Sequence, residues 1–230
     1  MLSLNNVLMC QGAFSLRADL MIEAGCKVAV IGPSGAGKST LVNAICGFVD
    51  VAEGQVQLDG RDITQALPSK RHMAILFQDN NLFPHLSIAQ NVGLGIRPAM
   101  RLSQAETAQI SVALDRVGLE GFEDRKPAAL SGGQQSRAAL ARALVQGKPW
   151  MVLDEPFAAL GPALRAEMLD LVASVAMETG AGVLMVTHSP DDARRLADQV
   201  IFVADGVANP PVATAELLDN PPSALKAYLG

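Results

Sequence analysis

The chain contains no hydrophobic run approaching the roughly 18 consecutive apolar residues of a membrane-spanning helix, although 50% of its 230 residues are hydrophobic. No charged-then-apolar leader opens it. Basic residues are not in surplus either: 18 Lys and Arg against 23 Asp and Glu leave a net charge of −5. With no basic stripe to track a phosphodiester backbone, nucleic acid is excluded as the main partner. Cysteine is scarce. Cys10, Cys26 and Cys46 stand singly among apolar neighbours, without the Cys-x-x-Cys spacing of a metal or redox site, and read as buried free thiols. Internal repeats and low-complexity tracts are missing too. What these absences leave is one globular domain, residues 1–230, long enough for a substantial core. It is expected in the cytosol, reaching a membrane only through a partner.

What is present is concentrated in Val28–Gly47. Val28, Ala29, Val30 and Ile31 read as a buried parallel strand; Leu41, Val42 and Ile45 repeat at helical spacing, and Gly47 stops the helix. Between them lies Gly32-Pro33-Ser34-Gly35-Ala36-Gly37-Lys38-Ser39-Thr40, which matches the P-loop pattern at Gly32, Gly37, Lys38 and Ser39. Glycines let successive backbone N–H groups turn inward around phosphate oxygens, and the helix N-terminus adds partial positive charge. Lys38 is expected on the β- and γ-phosphates, Ser39 on Mg²⁺, and Thr40 on the α-phosphate side. The loop predicts a nucleoside triphosphate.

Around it, Phe14, Leu16, Ala18, Leu20 and Ile22 share one parity, the mark of a half-buried antiparallel strand. Leu2–Val7 is a weaker strand, and Gly54–Leu58 a further one closed by the turn Asp59-Gly60. These predict an antiparallel β-layer around the nucleotide end. Met73–Phe77 is a buried strand running into Gln78. From Phe83 to Pro127 the pattern is mostly helical and predicts a lobe of its own, with a capping box at Ser103 and Glu106 and an apolar face of Ile110, Ala113, Leu114 and Val117. Met151–Leu153 and Val183–Val186, separated by a helix with apolar Leu164, Met168, Leu171, Val172 and Val175, predict a parallel α/β sheet. Ser189-Pro190 opens a short helix, Val200–Ala204 is a late strand, and the tail carries one short helix near Ala215–Leu218.

A P-loop alone admits a kinase, a GTPase, a helicase or a transporter ATPase. Four elements narrow the choice. Asp154 and Glu155 end a buried strand; the first suits a Mg²⁺ shell and the second can act as general base on water. Leu130-Ser131-Gly132-Gly133-Gln134 opens a helix predicted over Gln135–Val145, a second anion cradle where a plain helix cap would need no glycine pair. One triphosphate hardly needs two cradles, so this one is expected to serve a nucleotide held by a second copy of the chain. Gln78 can ligate Mg²⁺ or orient water, and His188 can hydrogen-bond a γ-phosphate. His72 and His85 lack such placement.

Together these elements resemble the ATP-binding cassette ATPases over nearly the whole chain: GPSGAGKST as Walker A, Gln78 as the Q-loop, LSGGQ as the signature, MVLDE as Walker B and His188 as the switch histidine. The resemblance implies an α/β P-loop NTPase with a RecA-like parallel-sheet core, an N-terminal antiparallel β-layer and an inserted α-helical subdomain. It implies a head-to-tail homodimer hydrolysing ATP with Mg²⁺. In it Asp154 sits in the Mg²⁺ shell, Glu155 acts as base, and Ser131, Gly133 and Gln134 belong to the cradle for the other subunit's nucleotide. The stretch LFQDNNLFPHLSIAQNVGLGI is similar to the ATPase subunit of bacterial thiamine importers. That similarity implies import of thiamine or its phosphates. It places the chain on the cytoplasmic face of the cell membrane, beneath an integral permease fed by an outside substrate-binding protein. Rival readings are the same machine for iron, molybdate, a polyamine or an amino acid, a soluble assembly or repair ATPase, and a metabolic kinase. At this length, no added regulatory β-domain is expected after the nucleotide domain. Two positions depart from the family. Gly161 stands where an aspartate linking the two nucleotide sites is usual, which predicts slower or less tightly coupled hydrolysis. No aromatic residue lies at Met9–Gly12 to stack on adenine. Phe14 is the nearest candidate, with core packing an equal reading.

Overall fold

The structure, a computed structural model, describes residues 1–222 and 225–226. Strands β1 (Leu2–Gln11) and β2 (Phe14–Ile22) form a hairpin and lead to β3 (Lys27–Ile31), the P-loop and α1 (Lys38–Cys46). Then come β4 (Val51–Leu58), β5 (Arg61–Asp62) and β6 (Met73–Leu76), followed by helices α2 (Ile88–Gly93), α3 (Gln104–Arg116) and α4 (Gly132–Leu144). The second half runs β7 (Trp150–Asp154), α5 (Pro162–Thr179), β8 (Gly182–Val186), α6 (Pro190–Leu196) and β9 (Gln199–Ala204). It closes with β10 (Val207–Ala208), β11 (Val212–Ala213) and α7 (Thr214–Asp219).

Strands β9, β3, β8, β7 and β6 lie side by side and parallel. The antiparallel layer is not a separate sheet: the order continues β9-β10-β2-β1-β4-β5. The join is made by Asp205 and Gly206, both at positive φ, which fold β10 back on β9, while Arg17 N–H donates to the Gly206 carbonyl at 2.9 Å.

Each central strand is buried on both faces, as parallel strands covered by helices are. Val28 and Val30 of β3, Val152 of β7, and Leu184 and Val186 of β8 share one core with α1 and the hairpin. Met151 and Leu153 of β7, with Val183 and Met185 of β8, face the other way into α4 and α5. Within the stretch Phe83–Pro127 lie α2 and α3, with α4 following it, and all three pack into one cluster with β6, β7, β8 and α5. The predicted capping box is present: Ser103 Oγ accepts from Glu106 N–H at 3.2 Å, and Ser103 N–H donates to Glu106 Oε2 at 2.7 Å. Ile110, Ala113, Leu114 and Val117 are buried as the periodicity predicts.

Strand β1 runs well beyond the predicted Val7. Its register shifts between Leu4 and Val7, with Asn6 at φ +48, so the buried set changes parity from Leu2 and Leu4 to Val7 and Met9. Gly54 of β4 faces this bulge; a Cβ there would lie 2.3 Å from the Asn6 carbonyl oxygen. The same parity turns Cys10 outward. Of the thiols expected to be buried, only Cys46 is; Cys10 is exposed and Cys26 half-buried. Burial pushes the Cys46 thiol up to about 12, against the opposing charge of Arg71.

Arg71, only 2% exposed, fastens the far end of α1. Its Nη1 donates to the carbonyls of Ala44 (2.7 Å) and Ile45 (2.9 Å), and its Nε and Nη2 to Ala66 (2.9 Å) and Thr64 (2.7 Å). A cation there satisfies the last carbonyls of α1 and complements the negative end of its dipole. Arg71→Met is expected to cost about 3 kcal/mol by leaving buried carbonyls without donors. Ser103→Ala, losing one exposed cap, should cost about 1 kcal/mol. Urea denaturation of the two variants checks the ranking.

Candidate nucleotide-binding and hydrolysis site

The P-loop leaves β3 at Gly32, whose absent Cβ would lie 2.1 Å from the Val203 carbonyl oxygen of β9; only glycine fits. Gly37, at φ +104, is the N-cap of α1 and contributes no side-chain hydrogen bond, and the first turn of α1 contains no acid. Leu41 N–H reaches the Gly37 carbonyl at 2.9 Å, whereas Lys38, Ser39 and Thr40 precede the first intrahelical acceptor. A helix start with neither cap nor acid is built for an anion. Lys38 is buried, and its Nζ donates back across the loop to the carbonyls of Gly32 (2.8 Å) and Pro33 (2.9 Å). Burial lowers the Lys38 pKa; the nearby charges of Glu155 and Asp154 oppose that shift.

The carboxylates arrive on β7. Its register pairs Asp154 with Val186, and Val30 of β3 pairs with the same Val186, so Asp154 and the start of the P-loop share one sheet edge. Asp154 Oδ1 lies 3.5 Å from Ser39 Oγ. Burial raises the Asp154 pKa, helped by the Glu155 charge and opposed by Ser39 and Lys38. A hydroxyl and a half-buried carboxylate, both hard oxygen donors, fit Mg²⁺. Glu155 has φ +45, and its N–H donates to the Val186 carbonyl at 3.2 Å. Glu155 borders two spaces at once: the groove over Gly35, Gly37, Lys38, Ser39 and Thr40, and a recess shared with Thr187 and His188. His188 Nδ1 lies 3.6 Å from Glu155 Oε2. P-loop, Asp154, Glu155 and His188 are therefore brought together. Gln78 is exposed beyond the end of β6 and does not line that groove.

Ser131, Gly133 and Gln134 do not line it either. Helix α4 begins at Gly132, three residues ahead of the predicted start, because Ser131 caps it after all. Ser131 Oγ accepts from Gln134 N–H at 3.3 Å, and Ser131 N–H donates to Gln134 Oε1 at 3.0 Å. The glycine pair has a packing role as well: a Cβ on Gly133 would lie 2.3 Å from Leu164 Cδ2 on α5. Ser131 and Gly132 stay exposed.

Sequence reasoning missed Gln11, whose Oε1 accepts from Thr40 Oγ1 at 3.1 Å. It sits at the end of β1, directly across the hairpin from Phe14. The Phe14 ring covers Gly37, where a Cβ would meet it at 2.7 Å. The ring braces the P-loop as well as bordering the groove. Gly161 is the N-cap of α5, without a side-chain hydrogen bond and with open space where a Cβ would stand. Arg165 of α5 holds the preceding loop through the carbonyls of Phe157 (3.2 Å) and Ala158 (3.0 Å). Phe14→Ala is expected to lower stability by about 2 kcal/mol, less than a fully buried phenylalanine. ATP affinity should change by less than about threefold. Thermal melting and nucleotide titration of one preparation check this; a large affinity loss with unchanged melting would make Phe14 a base-stacking residue.

The family model for ABC transporters matches residues 16–158. The chain is similar along its full length to the thiamine import ATP-binding protein ThiQ of Cereibacter sphaeroides, 59% identical over 230 residues and covering 100% of both chains. It is 47% identical over 229 residues to the protein of the same name from Jannaschia sp., again covering 100% of each. Among solved structures, the dimeric ABC transporter cassette MJ0796 superposes with a TM-score of 0.80 at 30% identity, over 93% of this chain and 99% of that one. The cassette MJ1267 superposes with a TM-score of 0.89 at 25% identity, over 100% and 99%. The P-loop, the paired carboxylates on β7 and these matches lead to one conclusion: the chain belongs to the ABC transporter family and is its ATP-binding cassette, an ABC ATPase.

Proposed function

We propose that this ATPase drives the import of thiamine or thiamine phosphates, working as a homodimer on the cytoplasmic face of a bacterial cell membrane. An integral permease would form the path, and a substrate-binding protein outside would supply the cargo. The observation that carries the hydrolytic half is the position of Glu155 between the P-loop groove and His188. The cargo is supported by end-to-end similarity to thiamine import ATP-binding proteins. Among the described residues no helix is long and apolar enough to cross a membrane, and the reading assigns the path to the permease.

In this mechanism the N–H groups at the start of α1 and the glycines of the loop hold the β- and γ-phosphates. Lys38 exchanges its two carbonyl partners for phosphate oxygens. Ser39, Asp154 and Gln78 would hold Mg²⁺, which would supply positive charge to the phosphate oxygens. Glu155 accepts a proton from the attacking water as its oxygen bonds to the γ-phosphorus and ADP leaves. His188, beside Glu155, donates to the γ-phosphate. Ser131, Gly133 and Gln134 serve the nucleotide of the second copy. That these residues do not line their own chain's P-loop groove supports the head-to-tail arrangement. The permease is received at the loop after Gln78, where Phe83 is 47% exposed and stacks edge-on to His85. Labelled-thiamine uptake in cells deleted for this chain tests the assignment. Uptake should fall on deletion and return with the wild type but not with Glu155→Gln. Unchanged uptake after deletion would overturn the cargo.

A further inference from the structure

Arg142 lies near the C-terminal end of α4, about 16 Å along that helix from Ser131 at its start. It points toward the segment after Gln78. Its Nη1 donates to the Asn81 carbonyl at 2.7 Å and its Nη2 to the Asn80 carbonyl at 2.6 Å. Asn80 and Asn81 are at φ +56 and φ +47. Two consecutive residues in the left-handed region aim successive carbonyls the same way, as one turn of a helix does, and asparagine tolerates that region better than most residues. The planar fork of a guanidinium matches such a pair of acceptors; a lysine could serve only one of them well.

This arrangement is costly for a mere surface contact. The two acceptors are neutral carbonyls, and burial pushes the Arg142 guanidinium pKa down. Holding a desolvated cation against neutral partners needs a geometric return. The Asn80 Oδ1 atom is buried without a hydrogen-bond partner among the described residues, so the loop does not hold itself by its own side chains alone.

We propose that Arg142 is a positioning residue for hydrolysis: it ties the loop carrying Gln78 to the helix opened by Ser131, so that both move as one body. Gln78 precedes the clamped carbonyls by two and three residues, and the turn between is closed by Asn80 N–H donating to the Phe77 carbonyl at 3.1 Å. The clamp thereby holds the backbone that follows Gln78. A shift of α4 is carried to Gln78 without passing through the parallel sheet. The proposal rests on the reading of Gln78 as a Mg²⁺ ligand.

The test compares full-length wild type, Arg142→Lys and Gln78→Ala by two readouts. The first is amide hydrogen exchange over residues 77–82 without nucleotide. The second is the Mg²⁺ concentration giving half-maximal hydrolysis at saturating ATP. Arg142→Lys should speed exchange in that segment about tenfold and raise the Mg²⁺ requirement about tenfold, the scale on which outer partners tune a metal site. Gln78→Ala should raise the Mg²⁺ requirement at least as much. Should Arg142→Lys fail to fold, Arg142→Gln takes its place in both readouts. Faster exchange with an unchanged Mg²⁺ requirement, while Gln78→Ala raises it, would reduce Arg142 to a structural clamp and overturn the proposal. Unchanged exchange would overturn it as well. An unchanged Mg²⁺ requirement in Gln78→Ala would instead remove the ligand reading of Gln78 and, with it, any role for Arg142 in hydrolysis.

Discussion

The structure depends on a helix that begins with nothing to satisfy it. Helix α1 has glycine as its N-cap, no carboxylate in its first turn and a loop of glycines before it. Each N–H group left without an acceptor in a partly buried place costs on the order of 1–3 kcal/mol. The cost is tolerated because the other end of α1 is anchored twice, by its apolar side chains in the core and by Arg71 on its last carbonyls. Lys38 meanwhile borrows the carbonyls of Gly32 and Pro33. An anion there accepts from Lys38 and from the N–H groups together, so recognition of phosphate follows from the way the helix begins.

The order of the parallel strands turns that cradle into a site that can do chemistry. With β8 between β3 and β7, the segments following these strands emerge at one edge. Ser39, Asp154, Glu155 and His188 meet there although their sequence separations are large. Burial disfavours the charged form of both Lys38 and Asp154, and neighbouring opposite charges restore part of it. The helices α2, α3 and α4 share one core with α5 and with buried residues of β6, β7 and β8.

Much of this was legible in the sequence because it is local. The P-loop, the carboxylates at the end of an apolar strand and the Ser103–Glu106 cap each occupy a few adjacent residues with fixed geometry. What escaped is contact across distance, or a break in a pattern. Nothing near Gln11 marks it as the acceptor for Thr40. Arg71 and Arg142 look like ordinary basic residues until backbone carbonyls are found at their tips. The bulge at Asn6 switched the parity of β1 and hid both its length and the exposure of Cys10. Ser131 illustrates a different limit: a helix cap and an anion cradle use the same atoms, so the cap does not exclude the cradle.

The central claim, that the bare start of α1 is completed by phosphate and not by the base, is tested most directly by thermal melting of the full chain with ATP, inorganic pyrophosphate or adenosine. ATP and pyrophosphate should each raise the melting temperature, adenosine should leave it unchanged, and Lys38→Ala should lose the response. Stabilisation by adenosine equal to that by ATP, with none from pyrophosphate, would contradict it.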